Sequence, residues 1–180
     1  MARFDPETWL ERAIQRRDRA IARGVTDEQA DTALVYERIN ISSLRVVVEW
    51  AEARTLTVNF TKEGDGKYSP SDKEITVSGR ASPATQLHVI LHECGHHLVG
   101  NDEKRERFGR GYANTDADNK KTLRHRLDVL EEEFEAWNRG KKLATRLGVP
   151  LDKMAYDRTR DRMLKSYADW VSKYRVRKKK

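Results

Sequence analysis

His92-Glu93-Cys94-Gly95-His96 fits the pattern H-E-x-x-H, and the reading of the whole chain follows from where this stretch sits. On a helix, positions i and i+4 share a face one turn apart, so His92 and His96 can turn ring nitrogens toward one metal ion. Glu93 follows the first histidine, where its carboxylate can reach a metal-bound water without being a ligand. The flanks supply the helix. Ser82-Pro83 reads as an N-cap with proline at the first helical position. Leu87, Ile90, Leu91, Cys94 and Leu98 recur at helical spacing as a buried stripe, and Gly100-Asn101 reads as the stop. The predicted metal helix therefore spans about 83–99. Gly95 inside it costs about 1 kcal/mol against alanine, which points to another element packed closely there. Cys94, on the stripe, reads as a small core residue.

Working outward, Asp5-Pro6-Glu7 starts a helix that reaches about Arg23 and is closed by Gly24. Thr26-Asp27-Glu28-Gln29 starts a second helix, to about Ile39, and a third is expected from Ser42 or Ser43 to Arg54. Helices thus fill 5–54. Thr55 to Phe60 and Lys73 to Ser78 alternate polar and apolar, with a turn at Gly64-Asp65-Gly66. They predict a small antiparallel sheet over 55–78, packed on the metal helix. The strand just before that helix would offer a free edge for an extended peptide. Residues 101 to about 117 read as a mobile loop beside the site. A long helix is predicted over about 118–139, with Leu123, Leu127, Leu130, Phe134 and Trp137 as its inward seam. Gly148-Val149-Pro150 separates it from a last helix, about 152–174, with Tyr156, Met163, Tyr167, Trp170 and Tyr174 on one side. Residues 175–180 read as a basic disordered tail. The expected architecture is one mostly helical α+β domain over 1–174.

A length of 180 residues suits a single core. No apolar run approaches the roughly 18 residues of a membrane span, and Met1 to Glu7 lacks an apolar signal region, so a cytoplasmic location is expected. One cysteine excludes an intrachain disulfide. The net charge of +7 is uneven: Arg158 to Lys180 holds ten Lys or Arg against two Asp, or +8, which leaves about −1 for the rest.

A hydrolytic zinc site takes three protein ligands and one open position. Two histidines leave one to find, and the cluster Glu131-Glu132-Glu133 lies downstream. At about 100° per residue, Glu132 points away from the predicted seam, and Glu131 and Glu133 flank it. Geometry leaves those two open. Glu133-Phe134-Glu135-Ala136 resembles the E-x-x-A segment of gluzincin-type metallopeptidases. In those families the first Glu is the third zinc ligand, and the Ala lets two helices approach. With His92 to His96, the resemblance implies a zincin-like fold, Zn2+ as cofactor and Glu133 as third ligand. The ImmA/IrrE-type intracellular peptidases and the HtpX-type membrane zincins carry comparable segments, usually with Asn or Asp after the Ala. Trp137 stands at that position here, and the HtpX-type spans are missing. SprT-like DNA-associated proteases use a third histidine instead, which would bring in His125. By the same angles His125 points away from the seam.

The implied chemistry is zinc-dependent peptide hydrolysis. Zinc lowers the pKa of its water and polarises the scissile carbonyl, while Glu93 takes the water proton and returns it to the leaving amine. A further donor is needed for the oxyanion. Tyr112 is the first choice for it, ahead of Arg110 and His97. His88, one turn before His92, is placed as a support for the ligands. The expected partner is a protein or peptide substrate. Nucleic acid is a second expected partner, through the basic C-terminal helix and tail, where Lys and Arg interleave with Tyr and Trp. The alternative reading is a nucleic-acid-binding or protein-interaction module on the same scaffold with little or no hydrolysis. A purely structural metal site would not need Glu93, which favours the enzyme.

Overall fold

The computed structural model describes residues 4–62, 66–100 and 122–174. Five helices and three strands occur among them: α1 (Pro6–Ala22), α2 (Asp27–Glu52), β1 (Thr57–Thr61), β2 (Lys67–Ser69), β3 (Glu74–Ser78), α3 (Pro83–Gly100), α4 (Leu123–Arg146) and α5 (Lys153–Ser172). The α+β class holds. The loop expected at 101–117, Tyr112 and Arg110 within it, the expected helix start at 118, the turn at Gly64-Asp65 and the tail at 175–180 lie outside the described residues.

The predicted caps form. Asp5 accepts the Glu7 N–H at the start of α1, Thr26 accepts the Gln29 N–H at the start of α2, and Ser82 Oγ accepts the Thr85 N–H ahead of α3. Two boundaries differ from the prediction. The break between Ile39 and Ser42 is absent, and α2 runs through it. Ile41, Ser43 and Leu44 are buried there, and the Asn40 side chain donates to the Tyr36 carbonyl. Burial outweighs the weak helix propensity of the Asn-Ile-Ser-Ser run. Likewise α4 does not stop at Arg139 but passes through Gly140 to Arg146, and Gly148, at φ +65°, takes the turn after the Leu147 cap.

The sheet is mixed, not antiparallel throughout. Its order is β1-β3-β2, with β1 parallel to β3 (Val58 beside Ile75) and β2 antiparallel to it (Tyr68 beside Ile75). The short strand β2 has too few residues to show an alternation in the sequence, yet it takes the hairpin position and leaves β1 to pair on the far edge. The strand before the metal helix is consequently central, with both edges used. The outer edge nearest the metal helix belongs to β2.

Helix α3 is the axis of the molecule. It packs against α2, α4, α5, β2 and β3. Leu87, Ile90, Leu91 and Cys94 are fully buried in a core with Leu44, Val47 and Ala51 of α2, Ile75 and Val77 of β3, and Trp137 and Leu143 of α4. A helix apolar on nearly every side has to be surrounded. Its closest neighbour is α4, which lies antiparallel to it. A Cβ on Gly95 would collide with the Ala136 backbone, and one on Gly140 would collide with the Leu91 carbonyl. The two helices therefore touch backbone to backbone at two levels.

Gly140→Ala tests that contact. Helix propensity alone predicts a gain of about 1 kcal/mol. The collision predicts instead a loss of about 1–3 kcal/mol in urea unfolding, and a more stable variant would contradict the packing described.

Candidate metal centre

The close contact of α3 and α4 brings two histidines of one helix to a carboxylate of the other. His92 Nε2 and His96 Nε2 stand 3.2 Å apart. Glu133 Oε2 lies 3.3 Å from the first and 3.6 Å from the second. Three ligand atoms at bonds of about 2 Å around a tetrahedral ion stand roughly 3.3 Å from one another. The observed triangle matches that spacing, and the three residues form the one group among the described residues with metal-binding geometry. This buried His92, His96 and Glu133 group could hold a metal ion. His125 is not in it: its ring packs edge-on against Trp170.

Each ligand is held from behind. The His92 ring stacks on Trp137 with centroids 4.4 Å apart and planes 17° from parallel. Trp137 thus supplies an aromatic wall behind the His92 ring. Tyr156 donates to the Trp137 carbonyl and fixes that turn of α4. His96 turns its Nδ1 toward Glu132 Oε1 at 3.8 Å. The angular argument had Glu132 pointing away, and the structure reverses it. Of the predicted seam Leu123–Trp137, Trp137 is buried and Leu130 packs partly buried against the core, but Leu123, Leu127 and Phe134 are exposed, so the buried face of α4 is turned from that seam. It runs through Val129, Glu133, Ala136, Trp137, Gly140, Leu143 and Ala144, and Glu132 borders it. Glu131 is exposed.

Charge follows from this packing. Burial pulls the Glu133 carboxyl upward, but the hydrogen bonds of His92 and His96 outweigh it and hold the group well below its usual range. Burial disfavours a charged His96, yet the carboxylates of Glu132 and Glu133 overcome that and push it up to about 10. Burial lowers His92 despite Glu133.

Glu93 lines the same cleft as the three ligands. Burial pushes its carboxyl up to about 7, and the Tyr68 backbone N–H on β2 donates to it. Sequence reasoning gave no reason to single out Tyr167. It sat within an aromatic side of α5, and nothing in its spacing says that α5 crosses over Glu133. In the structure it lines the cleft with Glu133, and its phenol is held protonated, first by burial and then by the negative charge of Glu133. His97 lines the cleft and meets the Tyr68 hydroxyl at 3.0 Å. His88 does not support the ligands. Its Nδ1 lies 3.0 Å from Thr159 Oγ1, and its ring packs edge-on against Tyr156, which joins α3 to α5.

The cleft encloses about 1440 Å³ between the sheet, α3, α4 and α5. Other aromatics of α5 are used in packing: Tyr156 is buried, and the Trp170 ring lies 4.8 Å from the Arg126 guanidinium. No helix among the described residues is long and apolar enough to cross a membrane. Comparison of the chain with protein-family models, with curated proteins and with solved structures returned no match.

Two outcomes are expected. In a metal titration followed by calorimetry, Glu132→Gln should weaken binding by about 10–100-fold, as loss of a group behind a ligand does. Glu133→Gln should weaken it further, and equal effects would move the ligand assignment. The second concerns His88, whose pKa is lowered to about 4 by burial, with Asp152 opposing and Arg162 assisting. Between pH 6.5 and about 4 the unfolded chain takes up a proton that the folded chain refuses. Stability should therefore fall as the pH drops through that window, by up to roughly 3 kcal/mol more than in His88→Gln. Parallel curves for the two proteins in urea unfolding would contradict the burial of a neutral ring.

Proposed function

We propose that the chain is a zinc-dependent metallopeptidase of zincin type. The observation that supports this reading most is the triangle of two imidazole nitrogens and one carboxylate oxygen, with Glu93 in the same cleft. Two neutral imidazoles and a carboxylate are the donor set of hydrolytic zinc sites and leave a fourth position free. Zinc bound there would supply Lewis acidity toward a water and toward a substrate carbonyl.

The protein's own groups do the rest. Glu93 accepts the proton of the attacking water and passes it to the leaving amine. Its burial raises its basicity and a nearby dication lowers it again, while the Tyr68 N–H fixes the orientation. Tyr167 keeps its proton at neutral pH and points it at the ligand cluster, which makes it a hydrogen-bond donor for the developing oxyanion. The substrate lies extended along the outer edge of β2, whose backbone already reaches Glu93.

Glu93→Gln is the direct test. The amide keeps the shape and loses the base, so zinc content should be unchanged. Cleavage of a generic protein substrate should fall by about 10²–10⁴-fold. A Glu93→Gln protein as active as the parent would refute the role, and a parent that cleaves nothing when loaded with zinc would refute the reading.

A further inference from the structure

The charges around the cleft are sorted. Among its lining residues the carboxylates are Glu93, Glu132 and Glu133, all buried and all beside the ligand histidines. The other charged residues lining it are Arg54, Lys67, Lys73, Arg80 and Arg162, all exposed and all cationic. A chain with 36 Lys or Arg against 29 Asp or Glu gives no reason for one cleft to collect a single sign. The C-terminal excess of charge does not account for it either, because four of the five lie between residues 54 and 80.

None of the five has a carboxylate partner among the described residues. Acidic partners hold cations elsewhere on the surface, as Glu37 holds Arg16 and Asp157 holds both Lys141 and Arg160. Among the described residues Arg54 lies 4.1 Å over the Trp50 ring and donates to the Trp50 carbonyl. It keeps further donors.

Their places along the sheet give the arrangement a direction. Lys73 precedes β3, and its carbonyl accepts the Thr57 N–H, three residues beyond Arg54. Lys67 pairs with Thr76, the middle residue of β3, and Arg80 follows the far end of that strand. Cations therefore stand beyond both ends of β3, at Lys73 and Arg80, with Lys67 on the edge strand β2 between them, next to Gly66, which Glu93 approaches, and Arg162 of α5 adds another.

We infer that this cleft selects an extended acidic peptide, with Asp or Glu on both sides of the segment laid across Glu93. The inference takes from the proposed function only the place where the peptide lies. Unpaired cations at a cleft wall concentrate and orient an anionic ligand. A peptide also brings backbone N–H and C=O groups for pairing along the outer edge of β2, which the sugar–phosphate backbone of a nucleic acid does not.

The experiment uses the full-length zinc-loaded Glu93→Gln protein, so that binding is read without cleavage. A short fluorescein-labelled peptide rich in Asp and Glu is compared by anisotropy with its Asn/Gln and Lys counterparts and with a single-stranded oligonucleotide of equal charge. The acidic peptide should bind about tenfold or more tighter than the neutral one, with an affinity that falls as salt rises. Lys67→Glu/Arg80→Glu, and separately Lys67→Gln/Arg80→Gln, should erase most of that preference while zinc content stays constant. Equal binding of the three peptides would overturn the inference, and so would tighter binding of the oligonucleotide. If the acidic peptide binds selectively but the parent protein does not cut it, the cleft preference stands and the peptidase reading falls.

Discussion

Two helix backbones in contact set everything else in this molecule. At Gly95 and Ala136, and again at Leu91 and Gly140, α3 and α4 approach until no side chain fits between them. Ordinary side chains at these positions would hold the axes about 8–10 Å apart or more. That separation would draw Glu133 away from His92 and His96 and dissolve the triangle of ligand atoms. The small residues give up helix propensity and side-chain burial in exchange for a fixed distance across the site. The large groups sit next to the contact instead: Trp137 against His92, and Tyr156 beneath Trp137.

The remaining elements act on that pair. Helix α2 and the sheet bury the far side of α3, which leaves one face of it open to a cleft. The hairpin of β2 and β3 brings a backbone N–H to Glu93. Helix α5 crosses over α4 and brings Tyr167 to Glu133, while Thr159 and Tyr156 hold His88 behind α3. The electrostatics are layered in the same way. Carboxylates and imidazoles are buried together at the floor, where each offsets the other's desolvation, and exposed cations with no carboxylate partner among the described residues stand around it.

Much of this was legible in the sequence because it rests on short-range rules. The spacing of His92 and His96 puts both on one helical face. Gly95 and Ala136 announce a close approach, and the capping residues Asp5, Thr26 and Ser82 mark where helices begin. The parts that were not legible depend on tertiary placement. Apolar spacing marks a stripe on α4 but cannot fix how the helix is turned: Trp137 of that stripe is buried and Leu130 packs on the core, while Leu123, Leu127 and Phe134 are exposed. The difference in rotation aimed Glu132 at solvent, although Glu133, on the flank of the stripe, stayed inward. The Asn40-Ile41-Ser42-Ser43 run looked like a break because propensity does not include the burial of Ile41 and Leu44. The pairing of β1 with β3 depends on β2, which is too short to have a periodicity.

The claim on which the rest depends is that His92, His96 and Glu133 meet at one ion, and X-ray absorption spectroscopy of the zinc-loaded protein reads that most directly. The account predicts a first shell of two imidazole nitrogens and light oxygen donors at about 2.0–2.1 Å, with one fewer imidazole in His96→Ala. A sulfur scatterer at about 2.3 Å, which would place Cys94 on the metal, or a shell without imidazole would contradict it.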